Sequence, residues 1–138
     1  MNRLVFLKSV PLFSSLTLDH LMAVDAVMTR EPYLPTERIV CEGDVGDKLY
    51  IVFKGEVAIR KRVSDSAERE LARLTTGQLF GEMALFDDER RSATAVAMTD
   101  AELLSLDREH FHSLAYQRPE IPIQVCKVLV ARLRTAIS

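Results

Sequence analysis

Between Met28 and Leu106 the chain is a succession of short β-prone runs, each stopped by turn-forming residues, and this punctuation constrains the fold more than any other feature. The runs are Tyr33–Leu34, Ile39–Cys41, Leu49–Phe53, Val57–Val63, Arg69–Leu74, Thr94–Met98 and Ala101–Leu106. Turns fall at Pro35-Thr36-Glu37, Glu42-Gly43-Asp44, Gly46-Asp47, Lys54-Gly55, Thr75-Thr76-Gly77-Gln78 and Thr99-Asp100, and Lys54-Gly55 has the Xaa-Gly form that joins hairpin strands. In the fourth run, Val57, Ile59 and Lys61 share one face and Glu56, Ala58, Arg60 and Arg62 the other, which predicts a strand with one wet side. About eight short strands at this spacing suit a sandwich or barrel, and their shortness favours a closed roll.

The flanks have helical texture. Residues 1–26 read as short helices: Val10-Pro11-Leu12-Phe13 ends the first segment, and Thr17 is the expected N-cap of a helix reaching Ala26, with Asp19 in its first turn. Leu18, Leu21, Met22 and Val24 to Ala26 form its apolar side. Asp107 is the expected N-cap of a helix carrying Phe111 and Leu114, and Pro119 takes the first position of a second. There Ile121, Val125, Val128, Leu129, Leu133 and Ala136 recur at three- and four-residue steps. Such a stripe needs a partner, which is the β-roll, a ligand lying in it, or the same helix of a second chain. At 138 residues the chain is one domain's worth and buries roughly 65 to 70% of its unfolded surface. The expected fold is therefore α+β: an eight-stranded antiparallel β-roll, jelly-roll-like, with N-terminal and C-terminal helices. Residues 1–26 are the helical lead, 27–106 the roll and 107–138 the C-terminal helices of a single domain, 1–138.

Several functional classes are excluded. The net charge is −2 and the sequence pI about 5.9, so no basic face marks nucleic acid as a direct partner. Cys41 and Cys126 stand in neither metal-like nor redox-like spacing and are expected to be two buried thiols in a reducing compartment. The apolar stretch from Leu4 to Leu12 is interrupted by Lys8 and falls well short of the roughly 18 to 20 residues of a membrane span, so a cytoplasmic location is expected. Gly43-Asp44-Val45-Gly46-Asp47 is glycine-rich but acidic, the wrong sign for phosphate, and His110 and His112 are two apart on a helix and do not face each other. None of the common catalytic motifs is present, so no catalytic residue and no metal is assigned.

One stretch carries chemistry of its own. From Phe80 to Ala95 the order is Phe-Gly-Glu-Met-Ala-Leu-Phe-Asp-Asp-Glu-Arg-Arg-Ser-Ala-Thr-Ala. Gly81 permits close approach of the backbone, Met83 and Ala84 offer N–H groups at the start of a helical turn, and Arg91 supplies a charge-assisted bond, a combination suited to an anion. Glu82 is repelled by a phosphate, so it fits only if it accepts from hydroxyls, which points to a sugar phosphate. A surface turn with Arg91 paired to Asp87 or Glu89 explains the spacing equally well. The residues alone leave both open.

This stretch closely resembles the phosphate-binding cassette of the cyclic nucleotide-binding domain family, of the catabolite activator protein and kinase regulatory subunit type. The family pattern is met by Phe80, Gly81, Glu82, Met83, Ala84, Leu85, Arg91, Ser92 and Ala93, with Pro11-Leu12-Phe13, Glu42-Gly43-Asp44 and Lys54-Gly55-Glu56-Val57 similar to its leading helix and strand turns. The resemblance implies a ligand site of Phe80, Gly81, Glu82, Met83, Ala84, Arg91, Ser92 and Ala93. Arg91 and the turn would take the cyclic phosphate and Glu82 the ribose 2′-hydroxyl. Arg90 stands where kinase-type members carry proline, and it is expected to be a solvated neighbour of Asp87, Asp88 and Glu89. Serine at 92 leaves the base open, with cAMP favoured and cGMP the other candidate. The resemblance further implies a regulatory sensor rather than an enzyme, without a cofactor, whose C-terminal helix moves on binding. Its partners would be an effector domain in the same longer chain or in a separate protein, and a second copy docked through the C-terminal helix. The alternative is a degenerate module that serves as a scaffold or dimerisation unit.

Overall fold

A computed structural model describes residues 2–137. The chain divides into two compact units, Thr29–Arg108 and the segments on either side of it.

The central unit is the expected antiparallel eight-stranded roll, built as two four-stranded sheets. Strands β1 (Thr29–Tyr33), β8 (Ala101–Asp107), β3 (Lys48–Lys54) and β6 (Leu79–Phe80) form one sheet in the order β1-β8-β3-β6. Strands β2 (Arg38–Val40), β7 (Thr94–Ala97), β4 (Val57–Ser64) and β5 (Ala67–Leu74) form the other, in the order β2-β7-β4-β5. Strands β8 and β3 are the inner strands of the first sheet, and β3 joins β8 to β6. Its run Leu49–Phe53 is buried at every position, the signature of a strand covered on both faces. Ile51 pairs with Leu104 of β8 and with Leu79 of β6. Between the sheets, Tyr50, Val52, Val57, Ala95 and Leu103 form a buried cluster against which Ile39, Val40, Ile59, Leu74 and Phe80 pack.

Three expectations for the roll are corrected. Strand β1 begins at Thr29 rather than Tyr33, and Leu34 lies outside it. Pro32 is tolerated because β1 is an edge strand. Strand β6, only two residues long, shows no run of its own in the sequence and exists through its pairing with Tyr50 and Ile51. Strand β4 does not keep one wet face: Val57 and Ala58 are both buried while Lys61 to Ser64 are exposed, and register slips at Ile59/Arg60 and Arg62/Ser64 break the alternation.

The flanking unit is helical. Helix α1 (Arg3–Ser9) is capped by the Asn2 side chain, and a 3-10 turn, Pro11–Phe13, follows it. Helix α2 (Leu18–Val27) is capped by Thr17, whose hydroxyl accepts from the His20 N–H at 3.2 Å. Only Leu21 and Val24 of α2 are buried; Leu18 and Met22, expected on its apolar side, are 64% and 52% exposed. Arg3 and Asp25 join α1 to α2 at 2.9 Å. Helix α3 (Arg108–Gln117) follows directly on Asp107 and buries Phe111 and Leu114. Helix α4 (Glu120–Ile137) starts one residue after Pro119 and packs on the Pro11–Phe13 turn. Its stripe is buried only at Ile121 and Val125, and by Leu133 exposure reaches 62%. The cysteines are not both buried: Cys41 is half-buried, Cys126 on α4 is exposed, and both are free thiols. No described helix is long and apolar enough to cross a membrane.

The β3–β8 pairing lies in the buried core of the roll. Leu104→Ala is expected to cost about 2–5 kcal/mol because Leu104 is fully buried. Leu71→Ala, at a position 47% exposed on β5, is expected to change stability by no more than about 0.5 kcal/mol. Urea unfolding of the two variants beside the parent checks the contrast.

Candidate ligand-binding site

The stretch singled out in the sequence connects β6 to β7 across one wall of the roll. Phe80 ends β6 and stacks on Tyr50 of β3, ring centroids 5.1 Å apart. Gly81 then takes a left-handed conformation, φ 79° and ψ 17°, which a side chain disfavours by about 1–2 kcal/mol. A Cβ at this position would also lie 2.5 Å from Arg91 Nη1. The turn it opens, Glu82–Leu85, is 3-10 rather than α. A 3-10 turn leaves its first N–H groups without intrahelical partners. The N–H of Met83 is one of these, whereas Ala84 donates to the Gly81 carbonyl at 3.0 Å and closes the turn. Of the two N–H groups expected to face an anion, Ala84's is therefore already engaged.

Arg91 reaches the same wall from the other end of the connection. Its backbone is tied to the 43–44 turn: the Arg91 N–H donates to the Asp44 carbonyl at 2.7 Å, and its carbonyl accepts from Gly43 at 2.8 Å. The side chain runs between Gly46 and Gly81, where a Cβ at either would overlap the guanidinium. Nη2 donates to the Lys48 carbonyl at 2.8 Å, Cζ lies 6.0 Å from the Tyr50 ring centroid, and Nε is buried with no hydrogen-bond partner among the described residues. Burial pushes its pKa down, Tyr50 and Asp47 oppose this, and the charge of Arg108 adds to it.

The competing arrangement, Arg91 paired to an acid of the tip, is not what the chain adopts. Asp87 accepts from the Glu89 N–H at 3.2 Å, and Asp88 pairs with Arg108 at 2.5 Å. Nor is Arg90 a solvated neighbour of those acids, since its guanidinium donates to the Gly43 carbonyl at 2.9 Å. Backbone carbonyls of the 43–48 loop outcompete the exposed carboxylates because they are fixed in place, whereas an exposed pair must immobilise two long side chains.

All eight residues singled out, Phe80, Gly81, Glu82, Met83, Ala84, Arg91, Ser92 and Ala93, line a single cavity of about 500 Å³. Glu82 is half-buried and its carboxylate has no hydrogen-bond partner among the described residues, Met83 is 61% exposed, and Ser92 is exposed. The far wall is apolar, from Val40, Ile59, Leu74, Leu79 and Ala95. These residues were not identified from the sequence, since they come from five strands and carry no mark beyond β-propensity. Lys61, which no motif marks, donates to the Ser92 carbonyl at 2.8 Å and lies 3.7 Å from Glu42.

Behind Arg91 the sheet carries a polar cluster that the sequence does not announce. Glu31 of β1 accepts from Tyr33 at 2.6 Å, from Ser105 of β8 at 2.5 Å and from Lys48 of β3 at 3.3 Å. Burial alone would raise the Glu31 pKa, but these three donors and the Lys48 charge outweigh it and hold the carboxyl below its ordinary value. Burial and the facing Glu31 carboxylate push the Tyr33 hydroxyl up. The cluster holds the Lys48 side chain on the strand whose carbonyl holds Arg91.

The roll, with the stretch from Phe80 to Ala95 lining its cavity, defines the class of domain to compare with known proteins. Residues 30–118 match the family described as Cyclic nucleotide-binding domain, and the chain belongs to that family. It is 38% identical over 130 residues to the Cyclic AMP receptor protein of Thermus thermophilus, covering 94% of this chain and 60% of the relative. It is 33% identical over 116 residues to the cGMP-dependent protein kinase, isozyme 1, of Drosophila melanogaster, covering 82% of this chain and 15% of the relative. The N-terminal domain of a transcriptional regulator from Streptomyces coelicolor superposes with a TM-score of 0.88 at 31% identity, covering 95% of this chain and 92% of that one. The chain thus spans 60% or less of the two curated relatives.

The Glu31 cluster makes stability depend on pH with a defined sign. A carboxyl whose folded pKa is depressed contributes stability above the ordinary carboxylate range and loses it as pH falls through the folded value. Glu31→Gln is therefore expected to be destabilised relative to the parent at neutral pH, with a gap that narrows below about pH 4. Urea midpoints of both proteins across this range check it, and a gap that stays constant with pH contradicts the assignment.

Proposed function

We propose that this chain is a regulatory sensor of a cyclic nucleotide, with cAMP preferred over cGMP. The observation that carries the reading is Arg91, a half-buried cation whose Nε is buried and which has no carboxylate partner among the described residues, in the wall of a cavity that Glu82 also lines. A cyclic phosphate supplies the countercharge that a carbonyl cannot, and the ribose 2′-hydroxyl gives Glu82 a donor. Met83, Ala84, Ser92 and Ala93 border the phosphate, Gly81 lets it approach, and Phe80 closes the floor with the apolar wall behind the base. The volume of about 500 Å³ suits a mononucleotide. The preference for cAMP is supported by the higher identity to the relative named a cyclic AMP receptor than to the one named a cGMP-dependent kinase.

Calorimetric titration of cAMP and cGMP into the parent and into Arg91→Ala tests this. Loss of a buried charged partner is expected to cost about 2–5 kcal/mol, a thirtyfold to several-thousandfold loss of affinity. Equal affinity in mutant and parent removes Arg91 from the site. No binding of either nucleotide at millimolar concentration leaves the degenerate scaffold as the reading.

Signal output in this reading passes through α4. The nucleotide biases the arrangement of the helix to the extent that its affinity differs between two states, and an effector segment of a longer chain or a separate protein receives the change. The exposed apolar residues Ile123, Val130 and Leu133 support a second chain docking there. A fluorophore on Cys126 in a Cys41→Ser background is expected to shift at saturating cAMP and to stay silent when Arg91 is also replaced. Sedimentation of the same samples reports assembly, and a monomer at every concentration removes the dimer.

A further inference from the structure

Arg108, the first residue of α3, is in the wrong place for a helix, because a cation in the first turn opposes the helix dipole. Its contacts lie elsewhere. Nε donates to the Ala84 carbonyl at 2.7 Å and Nη2 to the Asp87 carbonyl at 2.6 Å, so one guanidinium holds both the 3-10 turn of the cassette and its tip. Nη2 also reaches the Gly46 carbonyl at 3.2 Å, and the Arg108 N–H donates to the Asp47 carbonyl at 2.7 Å. The remaining partner is Asp88, at 2.5 Å from Nη1.

These contacts join the two loops that cradle Arg91. Gly46 packs against the Arg91 side chain, the Asp44 carbonyl accepts from the Arg91 backbone N–H and the Lys48 carbonyl from its guanidinium, and Gly81 opens the turn on its other side. The carbonyl bonds rather than the ion pair carry the effect: the Asp88 side chain is 90% exposed and that of Arg108 only 23%, and an exposed carboxylate contributes little. A planar fork reaches several fixed carbonyls at once in a way that a single ammonium cannot.

The geometry points to Arg108 as a positioning residue that fastens the cassette turn to the 44–47 loop and thereby sets the place of Arg91. It touches no ligand in the arrangement proposed above, and it rests on the nucleotide-sensor reading only for its effect on affinity.

Amide hydrogen exchange on nucleotide-free parent, Arg108→Gln, Arg108→Lys and Asp88→Asn, followed by calorimetric titration of cAMP into each, tests the assignment. In Arg108→Gln, exchange at the amides of Ala84, Phe86, Asp87 and Arg91 is expected to speed up by about tenfold to a hundredfold while Ile51 and Leu104 keep parental protection. Affinity for cAMP falls by about the same factor. Arg108→Lys keeps the charge and most of both losses, and Asp88→Asn behaves as the parent. Parental exchange in Arg108→Gln overturns the proposal. So does full recovery in Arg108→Lys, which leaves charge alone as the cause, or a loss in Asp88→Asn equal to that in Arg108→Gln. Should Arg108→Gln fail to fold, the lysine variant decides by the same measurements. A parent that binds no cAMP defeats the nucleotide reading alone, and the exchange comparison still decides the role of Arg108.

Discussion

The bond from Arg91 to the Lys48 carbonyl is the interaction on which the arrangement of the site depends. Arginine cannot shed its charge on burial as lysine can, so a guanidinium placed in a wall needs either a counterion or enough fixed dipoles to hold it. Here it has, among the described residues, one carbonyl, the face of Tyr50 and a buried Nε with no hydrogen-bond partner. That is little for a half-buried cation. In the proposed reading, this shortfall is what a bound anion makes good.

Strand β3 converts that local demand into a fold-level one. Its residue Lys48 provides the carbonyl, Tyr50 provides the ring, and the pairing of Tyr50 with Phe80 places the first residue of the cassette. A slip of one residue in that register would turn Tyr50 away from both partners at once. The register is held by the fully buried Leu49, Ile51 and Val52 and by the Glu31–Lys48 contact on the same strand. Core packing and site geometry are thus set by the same seven-residue strand.

What the sequence discloses and what it hides follow from the range of each interaction. The run Leu49–Phe53 and the Thr17 cap are local chemistry, and each takes the form its residues suggest, while Gly81, Glu82 and Arg91 meet in one cavity. Strand β6 is too short for any periodicity to show and is created by its neighbour. The alternation of β4 is undone by register slips that depend on the partner strands, and the stripe of α4 is read correctly as apolar but not as exposed at Leu133. Arg90 and Arg108 were the least legible, because both bind backbone carbonyls, which every residue carries and no sequence pattern marks.

The acidic tip explains why the cassette does not neutralise itself. Asp87, Asp88 and Glu89 stand two to four residues from Arg91 in sequence, close enough that any could take the arginine and cancel the charge an anion needs. Asp87 and Asp88 take other partners. Asp87 accepts from the Glu89 N–H, Asp88 goes to Arg108, and the arginine backbone is bound to the opposite loop at Asp44 and Gly43. Because a surface ion pair contributes at most about 1 kcal/mol, fixed backbone bonds are enough to decide the competition. The arginine is thus left unpaired by the tip, and it faces a cavity that Glu82 lines as well.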